Sequence, residues 1–198
     1  MRPGRRALLG LALAAGLAGC EKLFSSKSAF NGIDVTGSNM GGELRLADPD
    51  GKARSLAQFR GKAVVVVFGF THCPDVCPTA LSDLASAVKA LGPDGERVQV
   101  LFVTVDPKRD RPELMRQFVP AFHPTFLGLT GDDEALARVR KDFNVYAAIR
   151  EGSSPDNYSV DHSAQMFGFD PQGRIRLVWS PGMLPKQIAE DLRVLLNS

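Results

Sequence analysis

The stretch FGFTHCPDVCP, residues 68–78, joins a run of Val and Phe to a segment in which apolar residues recur at helical spacing. Its two cysteines, Cys73 and Cys77, lie four positions apart at the junction. The preceding run, 63–68, contains no polar residue and is rich in Val, which is typical of a central strand buried on both faces. Pro78 suits the first turn of a helix. The sequence therefore predicts a strand, a loop that carries both sulfurs, and a helix in direct succession.

Strands and helices alternate on either side of this junction. On the amino side, a Pro-Asp-Gly turn within 48–52 predicts a β-hairpin, followed by a helical turn at 56–59. On the carboxyl side, Asp110 is the expected N-cap of a helix, and residues 146–158 are expected to form a loop or a long hairpin. Apolar runs predict strands over 63–68, 98–105, 126–129, 164–169 and 175–179, and a 3.6-residue period predicts helices over 78–91, 114–122, 132–143 and 185–196.

This order of elements indicates one α/β domain over residues 43–198. Parallel β-α-β units come first, and an antiparallel hairpin and a closing helix follow, which is the thioredoxin-like arrangement. We therefore expect a thioredoxin-like fold, with a central mixed sheet flanked by helices and an N-terminal β-hairpin. With 198 residues the chain is long enough for one domain with a real core, and it shows no internal repeat.

The composition excludes some classes of partner. Hydrophobic residues make up 44% of the chain and charged residues 23%, as in an ordinary globular protein. Three of the 24 basic residues lie in an N-terminal segment without acidic residues; if that segment is removed, 21 basic residues face 22 acidic ones. There is no run rich in Lys and Arg, so we expect no nucleic-acid partner.

The N-terminal segment, residues 1–19, has the pattern of an export signal. Three arginines precede an apolar run over 7–17, which is too short to span a bilayer and fits the hydrophobic region of a signal peptide. The run ends in LAGC, residues 17–20, which resembles the lipobox of bacterial lipoproteins, in which the cysteine is acylated and becomes the mature N-terminus. An ordinary signal peptide that ends near Cys20 is one alternative, and a twin-arginine signal, which the flanking residues fit poorly, is another.

An acylated Cys20 would anchor the protein to a membrane. Residues 20–42 are rich in Ser and Gly and show little periodicity, which predicts a flexible tether. We expect an exported domain in the bacterial cell envelope, lipid-anchored and facing the periplasm or the outer side. Disulfides form in that setting, so the two remaining cysteines will oxidise unless they are kept reduced or bind a metal.

The spacing of Cys73 and Cys77 favours a metal ion. A cysteine at the amino end of a helix faces unpaired N–H groups and the positive end of the helix dipole, and both lower the pKa of its thiol. Three residues separate the pair, one more than in Cys-x-x-Cys oxidoreductases, and the wider loop lets the sulfurs close on an ion. Two thiolates suit soft ions, above all Cu(I), with one imidazole as a third ligand. A structural zinc site usually has four ligands.

A structural disulfide is the alternative interpretation of a cysteine pair in an exported protein. So short a loop would constrain the unfolded chain little, and the pair lies at the strand-to-helix tip where this fold keeps its chemistry. We therefore favour a metal-binding or redox-active pair.

The chain has three histidines. His162 is predicted in a loop at the end of a strand, where it is either a ligand that reaches the cysteine loop or a packing histidine. His72, adjacent to Cys73, is expected to point away from the sulfur and to shape the loop. His123 is expected to interact with the negative end of a helix dipole.

With these residues assembled, the chain resembles the Sco/SenC family of copper-binding cytochrome oxidase assembly proteins. The resemblance covers about residues 43–197. It is carried by GK at 61–62, FGFTHCPDVCP at 68–78, VTVDPKRD at 103–110, VDHS at 160–163 and DPQG at 170–173.

The resemblance implies that Cys73, Cys77 and His162 bind copper, as Cu(I) or Cu(II). It implies a metallochaperone, more a metal-transfer protein than an enzyme, that delivers copper to the binuclear centre of cytochrome c oxidase subunit II, with another copper chaperone as a further partner. Asp161 and Asp75 are candidates to orient a ligand or to dock the partner. The loop 106–110 is a docking element or a solvated charged loop.

Two other functions stay open. The redox pair Cys73 and Cys77 is also suited to a thiol–disulfide reductase that keeps the copper-site cysteines of the oxidase reduced. A peroxiredoxin-like peroxidase is suggested by the fold alone.

Overall fold

A computed structural model describes residues 29–154 and 157–198, so that the predicted signal peptide and Cys20 lie outside the described residues. The strands are β1 Ile33–Asp34, β2 Arg45–Ala47, β3 Ala53–Ser55, β4 Ala63–Gly69, β5 Val98–Thr104, β6 Leu127–Leu129, β7 Ala147–Ser154, β8 Asn157–His162, β9 Met166–Phe169 and β10 Ile175–Trp179. The α-helices are α1 Val76–Ala90, α2 Pro112–Phe118, α3 Asp133–Asp142 and α4 Pro185–Leu196.

A six-stranded sheet in the order β1-β10-β9-β4-β5-β6 forms the centre of the domain. Strands β4, β5 and β6 are parallel, and β9, β10 and β1 add to the sheet in antiparallel fashion. All seven residues of β4 and all seven of β5 are buried, as expected for central strands. This is the expected thioredoxin-like fold with a mixed sheet, and the hairpin β2–β3 precedes β4.

The second half of the predicted tether, residues 20–42, packs against the domain, contrary to the prediction. Strand β1 pairs with β10 at the edge of the sheet, and Phe30 is only 7% exposed. The carboxylate of Asp191, buried in α4, accepts hydrogen bonds from the amides of Asn31 (2.7 Å) and Gly32 (2.9 Å). The folded domain therefore extends at least to Phe30, because a buried acceptor and a strand edge bind a segment that carries little hydrophobic periodicity of its own.

Helices α1 and α2 also have boundaries that differ from the prediction. Helix α1 begins at Val76, two residues before Pro78, so that Cys77 lies inside its first turn. Helix α2 ends at Phe118 and continues as a 3₁₀ turn over Val119–Ala121. Pro120 explains this break, because proline has no N–H to donate and its ring crowds the preceding turn.

The expected loop or long hairpin over 146–158 is a hairpin. It consists of β7 and β8 and forms a two-stranded sheet separate from the central one. Within the ranges 29–154 and 157–198, no helix is both long and apolar enough to cross a membrane.

Candidate metal centre

The two cysteines lie where β4 passes into α1. Cys77, in the first turn of α1, is 2% exposed, and Cys73, in the preceding loop, is half-buried. A side chain at Gly69 would place a Cβ 2.8 Å from the Cys77 Sγ and 2.7 Å from the Phe102 ring. Only glycine leaves room there for the sulfur to sit directly over the end of β4.

Both thiols are free. The amide of Cys77 donates a hydrogen bond to the Sγ of Cys73, at a nitrogen-to-sulfur distance of 3.5 Å. This amide is one of the first N–H groups of α1, which have no partner within the helix. The amino end of α1 therefore faces the sulfur of Cys73.

Burial raises the pKa of the Cys77 thiol far above its ordinary value, and the neighbouring Cys73 and Asp110 add to this effect, while a backbone hydrogen bond at Phe70 opposes it. In the absence of a bound ion, Cys77 is therefore a protonated thiol at neutral pH. Binding of a metal would require loss of this proton.

His162, the last residue of β8, lies beside the buried sulfur. Its Nε2 is 3.6 Å from the Sγ of Cys77. Its Nδ1 lies 2.9 Å from the carbonyl oxygen of Ser163. Because a carbonyl only accepts, Nδ1 carries the proton, and the lone pair of Nε2 faces the sulfur side. The ring also packs edge-on against Phe70, with centroids 5.8 Å apart.

These distances suit two ligands of one metal ion. With metal–sulfur and metal–nitrogen bonds of about 2.3 Å and 2.0 Å, trigonal or tetrahedral angles separate the donors by about 3.5–3.7 Å. The third donor is not yet in place, because the Sγ of Cys73 is directed to the Cys77 amide. Accordingly, no three His, Cys, Asp or Glu side chains in the described part of the chain already surround a common point.

The other predicted residues lie away from this pair or face elsewhere. Asp161 is directed to the opposite face of β8, where its carboxylate binds Arg150 at 2.6 Å, so it does not orient the His162 ring. Asp75 occupies the N-cap position of α1 and accepts a hydrogen bond from the hydroxyl of Thr79 at 3.2 Å.

The remaining histidines have local partners. The Nδ1 of His72 lies 3.0 Å from the hydroxyl oxygen of Thr71, consistent with the expected role in shaping the loop. His123 was expected at a helix dipole, but its Nδ1 lies 2.9 Å from the hydroxyl oxygen of Thr125. A side-chain partner two residues away takes the place of the helix carbonyls.

Asp110 lies in the interior and does not cap a helix as predicted. It was expected to cap α2, but Arg111 is the N-cap, and Asp110 is 1% exposed. Its carboxylate accepts hydrogen bonds from the amide of Thr71 (3.0 Å), the hydroxyl of Thr71 (2.6 Å) and the hydroxyl of Thr104 (2.6 Å). It thus ties the cysteine loop to the end of β5. Burial raises its pKa, although these hydrogen bonds oppose the rise.

The chain is similar to proteins of known family and structure. The model of the SCO1/SenC family matches residues 34–197. The mitochondrial SCO2 homologue of Mus musculus is 39% identical over 154 residues, which cover 77% of this chain and 60% of that protein. The chain therefore spans about three fifths of the length of this curated relative.

Two solved structures share the fold at substantial identity. The structure of ScoI from Bradyrhizobium japonicum with copper bound is 35% identical, with a TM-score of 0.72 over 79% of this chain and 99% of that one. The solution structure of apo Sco1 from Thermus thermophilus is 41% identical, with a TM-score of 0.71 over 85% of this chain and 95% of that one.

Proposed function

Because this chain belongs to the SCO1/SenC family, we propose that it is a copper metallochaperone whose ligands are Cys73, Cys77 and His162. The observation that carries the proposal is the 3.6 Å separation between the Sγ of Cys77 and the Nε2 of His162. Two sulfurs and one imidazole match the preference of copper for soft donors. The copper-bound structure of a relative supports the same ion.

The proposed acceptor of the copper is the binuclear centre of cytochrome c oxidase subunit II, and the proposed donor is another copper chaperone. Asp161 and Asp75 are exposed and stay proposed docking residues. The LAGC stretch supports a lipid anchor at Cys20, which would hold the domain at the membrane of the cell envelope, where such an oxidase is assembled.

The unequal burial of the two sulfurs suggests how the ion is handed over. Cys73 is half-buried and lies at the surface of the loop, whereas Cys77 is 2% exposed. A thiolate of the acceptor therefore reaches the ion on the Cys73 side. Exchange of one protein thiolate for one acceptor thiolate keeps the number of ligands constant, so that the ion is never released to water.

A copper titration of the reduced domain tests this function. We expect one copper ion per chain, a sulfur-to-Cu(II) charge-transfer band, and loss of this band in both Cys73→Ser and Cys77→Ser. His123→Ala is the matched control, since His123 contacts Thr125 and not the cysteines. A protein that binds no copper, or one in which either serine variant retains the full band, would contradict the proposal.

A second function, thiol–disulfide reductase, is favoured by the two free thiols and by the helix amide directed to Cys73. In this reaction the Cys73 thiolate attacks a partner disulfide and displaces one partner thiolate, which takes up a proton. Cys77 then loses its proton, attacks Cys73 and releases the second partner thiol. Two electrons pass from the pair to the partner, and a Cys73–Cys77 disulfide remains.

The reductase function has its own measurement. The reduced domain is mixed with an oxidised peptide that carries two cysteines at the spacing of the oxidase site, and peptide thiols are counted. Stoichiometric reduction that depends on Cys73 would support this function. If the domain reduces no more peptide than an equal concentration of free cysteine does, the reductase function is excluded.

A further inference from the structure

We propose that Arg109 is a positioning residue that holds His162 beside Cys77, by fixing strand β8 against the ring of Phe70. The inference rests on the proposed function of the site, since it concerns how one of the proposed ligands is held.

The hairpin that carries His162 has no strand partner in the central sheet among the described residues, and side chains such as the buried Val160 attach it to the domain. Strands β7 and β8 pair only with each other in the described part of the chain. An isolated two-stranded hairpin is only marginally stable in water. The 3.6 Å approach of His162 to Cys77 therefore depends on side chains that attach this hairpin to the rest of the domain.

Arg109 provides such an attachment through hydrogen bonds. Its Nη1 donates to the carbonyl oxygen of Tyr158 in β8, at 2.8 Å. Its Nε donates to a carboxylate oxygen of Asp106. The other oxygen of Asp106 accepts a hydrogen bond from the Tyr158 hydroxyl, at 2.9 Å. Arg109, Asp106 and Tyr158 are thus joined to one another by three hydrogen bonds, which link the loop after β5 to the beginning of β8.

The same guanidinium lies between two aromatic rings. Its Cζ is 3.6 Å from the centroid of the Tyr158 ring and 5.6 Å from that of Phe70. Phe70 in turn packs edge-on against His162, at 5.8 Å and an interplanar angle of 84°. Since Tyr158 and His162 are four positions apart on one strand, they share a face. Arg109 thus contacts Tyr158 at one end of that face directly, and it acts on His162 at the other end through Phe70.

Burial makes these contacts strong. The side chains of Arg109 and Asp106 are only 16% and 4% exposed. A cation–π contact stabilises the folded protein more when the guanidinium is shielded from water than when it is exposed. The planar guanidinium can also donate hydrogen bonds and stack on a ring at the same time, which the ammonium group of lysine cannot do. The buried Nη2 of Arg109 has no hydrogen-bond partner among the described residues, so the ring faces supply the remaining stabilisation of the charge.

The first test uses the copper-free protein. We expect Arg109→Gln to speed amide hydrogen exchange in β7 and β8 by about tenfold or more, with little change in β4 and β5, because the hairpin opens locally. Arg109→Lys should resemble Arg109→Gln. Arg116→Gln is the matched control, because Arg116 is half-exposed and binds Asp50 and the carbonyl of Pro49 instead. Unchanged exchange in Arg109→Gln, or full protection in Arg109→Lys, would overturn the proposal.

The second test is a double-mutant cycle on copper affinity. Arg109→Gln should weaken binding about 10- to 100-fold, as loss of groups that orient a ligand does. In a His162→Ala background the same change should have almost no further effect, since Arg109 acts through His162. Additive effects would overturn the inference. If Arg109→Gln does not fold, Tyr158→Leu removes one ring and its hydroxyl and is subject to the same expectations.

The two tests separate this inference from the proposed function. Absence of copper binding by the wild-type protein would remove the function, and the exchange experiment would still decide whether Arg109 holds the hairpin. Normal copper binding with additive effects in the cycle would remove only the role of Arg109.

Discussion

The Nε2 of His162 lies 3.6 Å from the Sγ of Cys77, although 85 positions separate the two residues in the chain. The contact joins the first turn of α1, which follows β4 of the central sheet, to the last residue of β8, which belongs to the separate two-stranded sheet. This distance is that of a hydrogen bond between the thiol and the ring nitrogen, and it also suits the two side chains as ligands of one metal ion, as proposed above.

Removal of this imidazole should weaken copper binding. We expect His162→Ala to lower copper affinity by at least about tenfold, since even groups that only orient a ligand have effects of that size. Competition with a chelator of known affinity measures the change. His123→Ala should leave the affinity unaltered, and a His162→Ala protein with wild-type affinity would exclude the histidine as a ligand.

The two cysteines should differ in reactivity. In the reduced, copper-free protein we expect iodoacetamide to modify Cys73 about tenfold or more faster than Cys77, because the thiolate is the reactive form, and burial raises the pKa of Cys77. Peptide mass spectrometry gives both rates. In denaturant the two rates should become similar, and faster modification of Cys77 in the folded protein would contradict this assignment.

Asp110 should make the stability of the domain depend on pH in an identifiable direction. Burial raises its pKa above the ordinary value of 3.8. The folded state therefore holds its proton more tightly than the unfolded state, and stability falls as pH rises from the ordinary pKa through the raised one.

Asp110→Asn keeps an acceptor for Thr71 and removes the titration. The difference in free energy of unfolding between wild type and variant should change across that window, with a slope of up to about 1.4 kcal/mol per pH unit in favour of the variant. Urea unfolding at a series of pH values measures it. A difference that is constant with pH would show that Asp110 titrates normally.

Asp191 should be important for stability and not for metal binding. It is fully buried, and it accepts hydrogen bonds from the indole of Trp179 (2.8 Å) as well as from Asn31 and Gly32. Asp191→Ala leaves several buried donors unpaired, so we expect a loss of roughly 3 kcal/mol in free energy of unfolding. Chemical denaturation tests this, with the exposed neighbour variant Glu190→Ala expected to change little. Wild-type stability in Asp191→Ala would be the contrary result.

Local patterns predicted most of the fold. Strands β4 and β5 matched the prediction because strands buried on both faces consist mostly of apolar residues. Strand β10 and helix α4 were predicted with their observed bounds. The predictions deviated where a distant residue decides the structure, as at Asp110, which binds Thr71 and Thr104 rather than capping the helix beside it.

The sequence by itself determined the family, the strand–loop–helix junction and the two sulfurs within it, because these depend on neighbours along the chain. The tertiary structure alone decided that Cys77 is the buried sulfur, that His162 faces it, that Asp161 faces away, and that Arg109 lies between Tyr158 and Phe70. Burial and the direction of a side chain depend on elements that meet only when the chain folds. No spacing along the sequence encodes the 3.6 Å between an imidazole and a thiol that lie 85 positions apart.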